Sequence, residues 1–161
     1  MASEGRADVR STATPEVPTL VLERNDEAPR LARRFLAEQF AGWGITDDYM
    51  GRLVVCELTT NAYKHGEGPI VVRLFLDSHD GQPVIEVSDT GTGQPVVQPQ
   101  NYAATSGRGL QLMAELVHGW GVRRLTEGGK VVWAKLFCTR QVPTTTDPVP
   151  TPLAGQAGAR V

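Results

Sequence analysis

Two β-prone segments, PIVVRLFLD (69–77) and PVIEVSD (83–89), flank the turn-forming run SHDGQ. They read as the strands of a hairpin, which commits the centre of the chain to antiparallel pairing. The segments around them decide what covers that hairpin. TLVLER (19–24) alternates as a strand should. In NDEAPRLARRFLAEQFAGWG (25–44), Ala28, Leu31, Ala32, Phe35, Leu36 and Phe40 recur at helical spacing. Asn25 or Asp26 can cap that helix, Pro29 is tolerated in its first turn, and Gly42 or Gly44 stops it. Thr46 can cap a second helix, DDYMGRLVVCELTTNAYKH, which closes at Gly66 and Gly68. A third helix is expected over LQLMAELVHGW (110–120). GVRRLTEGGKVVWAKLF then supplies a strand, a turn at TEGGK and a last strand. Strands joined as hairpins with helices between them imply an α+β fold: a two-layer sandwich whose mixed, mostly antiparallel sheet is covered on one face by helices. A doubly wound parallel sheet would need a regular alternation of strand and helix that this order lacks.

Composition narrows the class. The chain has 161 residues, 40% of them hydrophobic and 21% charged, enough apolar surface for one core. A net charge of −2 gives no field for non-specific nucleic-acid binding, and nothing suggests a membrane surface. Two cysteines, Cys56 and Cys138, lack metal-ligand spacing, and Cys56 reads as a buried thiol. With no signal-like or membrane-spanning stretch, the expected location is cytoplasmic. Residues 1–16 read as a flexible lead-in, 17–140 as the folded domain, and the Pro/Thr-rich 141–161 as a disordered tail.

The second helix carries an odd cluster. Glu57 and Asn61 are four residues apart and Lys64 is three further on, so they share one narrow face, with His65 at its border. Val54, Val55, Leu58 and Ala62 take the opposite side. Alone, this stripe reads as a solvated face whose charged pairs contribute a few tenths of a kcal/mol. Two later motifs change that reading. DTGTG (89–93) ends a strand with a carboxylate followed by glycines that permit close backbone approach. SGRGL (106–110) opens the third helix, where glycines and unpaired N–H groups suit a polyphosphate. Each glycine motif is weak alone; their order after the polar stripe is the stronger signal.

ELTTNAYKHG, DTGTG and GRGL resemble the three nucleotide-binding boxes of the GHKL ATPase superfamily, shared by gyrase, histidine kinases and anti-sigma factor serine kinases. The likeness spans about 19–137. A single small domain with a strand and a helix before the first box is most similar to the anti-sigma factor serine kinases of Gram-positive bacteria. The resemblance implies the Bergerat ATP-binding fold, ATP and Mg2+ as cofactors, and a sigma factor and an anti-sigma factor antagonist as protein partners. It further implies a homodimer and a role in transcription initiation. By that resemblance Asn61 would hold the magnesium and Glu57 would be the general base. Lys64 or His65 would approach the phosphates. Asp89 would accept from the adenine amine, with Gly91 and Gly93 closing around the base. Gly107, Arg108, Gly109 and Leu110 would line the phosphate side, and Gln94 to Ser106 would form the lid. Arg30 would meet the partner protein, against an equal expectation that it is an ordinary solvated residue.

The chain departs from the family where a last-strand threonine often lies near the adenine and this sequence has Val131 and Val132. The short lid stretch also contains Pro95 and Pro99. Trp43, Trp120 and Trp133 read as packing residues and His118 as a helix-end residue. Neither a P-loop nor a Gly-x-Ser-x-Gly elbow occurs. The leading expectation is therefore a protein serine/threonine kinase that is also an anti-sigma factor. The alternative is an ATP-dependent binding module without phosphate transfer. The catalytic half of a histidine kinase fits less well, because no helix pair with an acceptor histidine precedes the domain.

Overall fold

The computed structural model describes residues 16–93 and 117–139. Its elements are β1 (Thr19–Leu22), α1 (Ala28–Gly42), α2 (Tyr49–His65), β2 (Ile70–Leu76), β3 (Pro83–Asp89), β4 (Gly119–Arg124) and β5 (Lys130–Lys135). The strands form one sheet in the order β1-β2-β3-β5-β4. Every pairing among the described residues is antiparallel, and β2 and β3 are the expected hairpin, with Leu74 opposite Ile85. The fold is α+β, as the element order implied.

Alternation along the strands determines what is buried. Ile70, Val72 and Leu74 of β2, Ile85 and Val87 of β3, and Val132 and Ala134 of β5 point into one layer. α1 meets that layer with Ala28, Ala32, Leu36 and Phe40, one residue per turn. α2 meets it with Val54, Val55, Leu58 and Ala62. Full burial of side chains such as Leu36, Phe40 and Leu58 stabilises the fold by roughly 1.5–3 kcal/mol each. Thr59 is also buried, and its hydroxyl donates to the Val55 carbonyl at 2.6 Å, so the helix absorbs its own polar group. Gly51 lets α1 and α2 approach closely: a Cβ there would lie 2.7 Å from Phe40 Cε2 and 3.0 Å from Leu36 Cδ2.

The opposite sheet face carries charge. Glu86 is buried between Arg73 of β2, at 3.3 Å, and Arg123 of β4, at 3.0 Å. Trp133 lies over Gly121, where a Cβ would be 2.9 Å from its Nε1, and Trp43 packs near Phe40 with ring centroids 5.8 Å apart. The tryptophans are packing residues here.

Several local expectations are corrected. Asn25 does not cap α1 directly. Its Oδ1 accepts the Glu27 N–H at 3.0 Å, and Glu27 is the N-cap, so the asparagine turns the chain just before the helix begins. Thr46 does not cap α2 either. The helix starts at Tyr49, whose N–H meets Asp47 Oδ1 at 3.3 Å, and Asp48 is the N-cap. Gly119 and Trp120 belong to β4, not to the end of a third helix, because pairing opposite Lys135 and Ala134 satisfies their backbone in the sheet. His118 accordingly starts that ladder, its N–H donating to the Lys135 carbonyl at 2.9 Å. Cys56 is half-buried beside Arg33, with Nη1 3.7 Å from Sγ. Most of the expected third helix lies outside the described residues, as do both expected tails. No helix among the described residues is long and apolar enough to cross a membrane.

The β2–β3 turn is tied down by Lys135, whose Nζ is 2.8 Å from Asp77 Oδ2 and 2.7 Å from Asp80 Oδ2. The lysine hydrogen bond, followed by a backbone N–H, from His79 for Asp77 and from Gln82 for Asp80, holds each carboxyl below its ordinary 3.8. A carboxyl depressed in the folded state contributes stability that is complete above the unfolded value and is lost as pH falls through the folded one. Lys135→Met should therefore be less stable than wild type at neutral pH, with the difference closing as pH falls from about 5 to 2 in urea melts. A gap that stays constant over that range would show that the lysine acts by packing alone. In the helix layer, Gly51→Val should cost about 1–3 kcal/mol in the same assay, with the urea m-value unchanged.

Candidate functional site

The site is built where α2 stops. Gly66 closes the helix, its N–H donating to the Ala62 carbonyl at 2.9 Å. The next carbonyl, Glu67, accepts both the Thr90 N–H at 2.9 Å and the Thr90 hydroxyl at 3.0 Å. Gly68 takes a positive φ of 67° directly beside that hydroxyl. The end of α2 is thereby fastened to the end of β3, which brings the polar stripe and the DTGTG motif into one place.

Asp89 lies at that junction. It shares strand parity with Ile85 and Val87, so its side chain points into the helix layer, beneath Gly66. A Cβ on Gly66 would lie 2.5 Å from Asp89 Cγ and 2.7 Å from Oδ2; one on Gly91 would lie 2.8 Å from Oδ1. The Gly91 N–H donates to Oδ1 at 2.8 Å. Gly91 of DTGTG and Gly66 at the helix end are thus the walls of a carboxylate cradle.

A third wall was missed from the sequence. Lys130 stands opposite Asp89 in the β3–β5 register, and its Nζ donates to the same Oδ1 at 3.1 Å. Both side chains are only 2% exposed. Removing one member of such a pair typically costs about 3–5 kcal/mol, since it strands the other charge in the interior. Gly129, at φ 96°, makes the approach feasible: a Cβ there would meet the Asp89 carbonyl at 2.4 Å. The sequence did contain a signal, a lysine at the same parity as the core residues Val132 and Ala134. The valines singled out as the departure lie on opposite faces of the sheet. Val131 points to the far sheet face, Val132 to the core, and Lys130 is the β5 residue facing the carboxylate.

The other sequence-predicted residues fall into three groups. Glu57 and Asn61 are half-buried on α2, while Lys64 and His65 are exposed in its last turn, where positive charge complements the helix dipole. Gly91 is buried at the cradle; Gly93 is exposed, with nothing within 4 Å of a Cβ built on it. Arg124 Nη1 holds the Thr92 carbonyl at 2.6 Å, anchoring the motif to β4. Arg30 is exposed on α1, remote in sequence from the cradle, and pairs with Glu27. Gly107, Arg108, Gly109, Leu110 and the stretch Gln94 to Ser106 lie outside the described residues.

No cluster of three or more His, Cys, Asp or Glu side chains suited to a metal ion occurs among the described residues. A magnesium ion carried by phosphates needs none, since it retains waters and can take a single amide oxygen from the protein. Asn61 offers such an oxygen, one residue before the Ala62 carbonyl that receives the helix-closing N–H. With both donors on Oδ1, Asp89 also keeps Oδ2 without a partner among the described residues.

A family model for the histidine kinase-like ATPase domain matches residues 22–136, the span that contains every element described above except the start of β1. The chain belongs to that family. The resemblance read from ELTTNAYKHG, DTGTG and GRGL therefore holds at the level of the domain. Among solved structures, this histidine kinase-like ATPase domain is similar to the RsbU and RsbW domains of Rv1364c from Mycobacterium tuberculosis, with 25% identity and a TM-score of 0.55. The match covers 77% of this chain and 33% of that one, so it spans about a third of the solved chain. No curated protein matches the chain.

The cradle makes a stability prediction. Gly66→Ala should lower stability by about 1–3 kcal/mol, because its methyl group would collide with a fixed carboxylate and a helix carbonyl. Gly93→Ala, which opens into free space, should stay within about 0.5 kcal/mol of wild type. Equal chemical-denaturation midpoints for the two variants would contradict the cradle.

Proposed function

We propose that this ATPase-family domain is a Mg-ATP-dependent serine protein kinase that also acts as an anti-sigma factor. It would phosphorylate an anti-sigma factor antagonist and bind a sigma factor, so that antagonist phosphorylation governs transcription initiation. The observation that carries this reading is the fastening of α2's polar end to the Asp89 cradle, which gathers a base-side acceptor and a phosphate-side stripe around one helix terminus.

In this reading Asp89 receives the adenine amine, and Gly91 and Gly93 let the backbone close around the base. Asn61 supplies an amide oxygen to magnesium, and Lys64 or His65 offers positive charge to the phosphates. Gly107, Arg108, Gly109 and Leu110 complete the phosphate side. Bound Mg-ATP supplies the transferable phosphoryl group and neutralises its charge. Glu57 is one helical turn from Asn61 and takes the proton of the attacking seryl hydroxyl onto its carboxylate. Glu57 is half-buried on α2. On the exposed face of α1, Arg30 pairs with Glu27 and Arg34 with Glu38, beside the exposed Arg33, so a partner would meet a mixed charged surface. The similarity to a protein containing an RsbW domain supports the same assignment.

A second reading is a binding module in which ATP occupancy controls association without phosphate transfer. The replacement of a hydroxyl by apolar Val132 on the core face of β5 favours it, because the base pocket then has fewer polar contacts. One experiment separates the two. Purified protein with Mg-ATP should phosphorylate a seryl residue of a small antagonist. Glu57→Ala should reduce transfer by about 10²-fold or more while calorimetric ATP binding stays within a few-fold of wild type. Transfer by Glu57→Ala at the wild-type rate would remove Glu57 as the base. ATP-responsive partner binding with no transfer by wild type would select the second reading.

A further inference from the structure

Lys130 is out of place by stability arguments alone. It opens the core face of β5, in line with Val132 and Ala134, and is among the most completely buried side chains of the described residues. An apolar pair at positions 89 and 130 would often stabilise a fold as well as a buried ion pair or better. The structure shows what the pair does instead. Lys130 Nζ and the Gly91 N–H converge on one oxygen, Oδ1, and between them fix the rotation of the carboxylate. Oδ2 is turned toward Gly66, where a Cβ would lie only 2.7 Å away, so any side chain at that position would cover the oxygen.

We infer that Lys130 is a positioning residue for base recognition: by occupying Oδ1 it presents Oδ2 of Asp89 as a charged, single acceptor that selects a 6-aminopurine nucleotide over a 6-oxopurine one. This rests on the ATP reading above. An exocyclic amine brings an N–H to Oδ2 and forms a charge-assisted hydrogen bond. A 6-oxo group brings lone pairs to the same oxygen and is repelled, leaving a buried acceptor without a donor. Without the lysine ammonium, the carboxylate is buried with no counter-charge and Oδ1 keeps only the Gly91 N–H, so the orientation of Oδ2 is less firmly held. Lys130 therefore acts on the base through Asp89.

The test compares ATP with inosine triphosphate, which carries a 6-oxo group in place of the amine, by calorimetric titration of the full chain with magnesium. Wild type should bind ATP at least about tenfold more tightly than inosine triphosphate, and Lys130→Met should lose most of that preference. The ratio of the two affinities is the informative readout, since misfolded protein lowers both alike. Lys130→Gln, which keeps a neutral donor for Oδ1, should fall between the two, and it carries the comparison if Lys130→Met does not fold. Equal affinities in wild type, or an unchanged ratio in the variants, would overturn the role of Lys130 while leaving ATP binding intact. Failure of wild type to bind either nucleotide would instead remove the ATP reading itself.

Discussion

Where α2 ends, the chain must cross a carboxylate with no room for even a methyl group, and the rest of the site depends on that crossing. Gly66 permits it, the two Thr90 donors on the Glu67 carbonyl hold it, and Lys130 neutralises the charge beneath it. The Thr90 hydrogen bonds are modest by themselves, and the buried ion pair is the costliest of these interactions to break. Together they set the distance between a helix that carries Glu57 and Asn61 and a strand that carries Asp89. In the proposed function, the polar stripe of α2 becomes one side of the nucleotide site because its last turn is anchored at the strand end.

The remainder of the fold serves as a base for that junction. The β2–β3 hairpin is the centre of the sheet, and α2 lies against both strands, so the helix carrying the stripe rests on the best-buried part of the molecule. α1 packs on α2 through a glycine contact and covers the β1 side. On the charged far face of the sheet the buried Glu86 is held between two arginines, so its charge is offset without drawing on the residues of the site.

Much of this was legible in the sequence because it rests on local rules. Period-two runs around SHDGQ gave the hairpin, and helical spacing in Leu36, Phe40, Val54, Leu58 and Ala62 gave both helices and their buried sides. The stripe of Glu57, Asn61, Lys64 and His65 and the glycines after Asp89 pointed to one locus. The missed features depend on partners far away in the chain. Lys130 gains its meaning from a carboxylate 41 residues earlier, and single-strand alternation cannot reveal a cross-strand charge pair. Gly119 and Trp120 follow a helical pattern but are claimed by pairing with β5. The start of α1 was misassigned because Asn25 bonds to a backbone N–H just ahead of the helix, and α2 begins three residues after Thr46, behind a similar turn made by Asp47. Such turns look identical to caps in the sequence.

β4 terminates the sheet among the described residues, so its outward N–H and C=O groups form a ready template for a strand from another molecule. Its last two residues are Arg123 and Arg124, already engaged with Glu86 and with the Thr92 carbonyl. Their positive charge also sits on an open margin, where a like-charged strand would be repelled. The same pair of side chains thus protects the domain against edge-to-edge aggregation, along a six-residue strand whose outer edge is unpaired among the described residues.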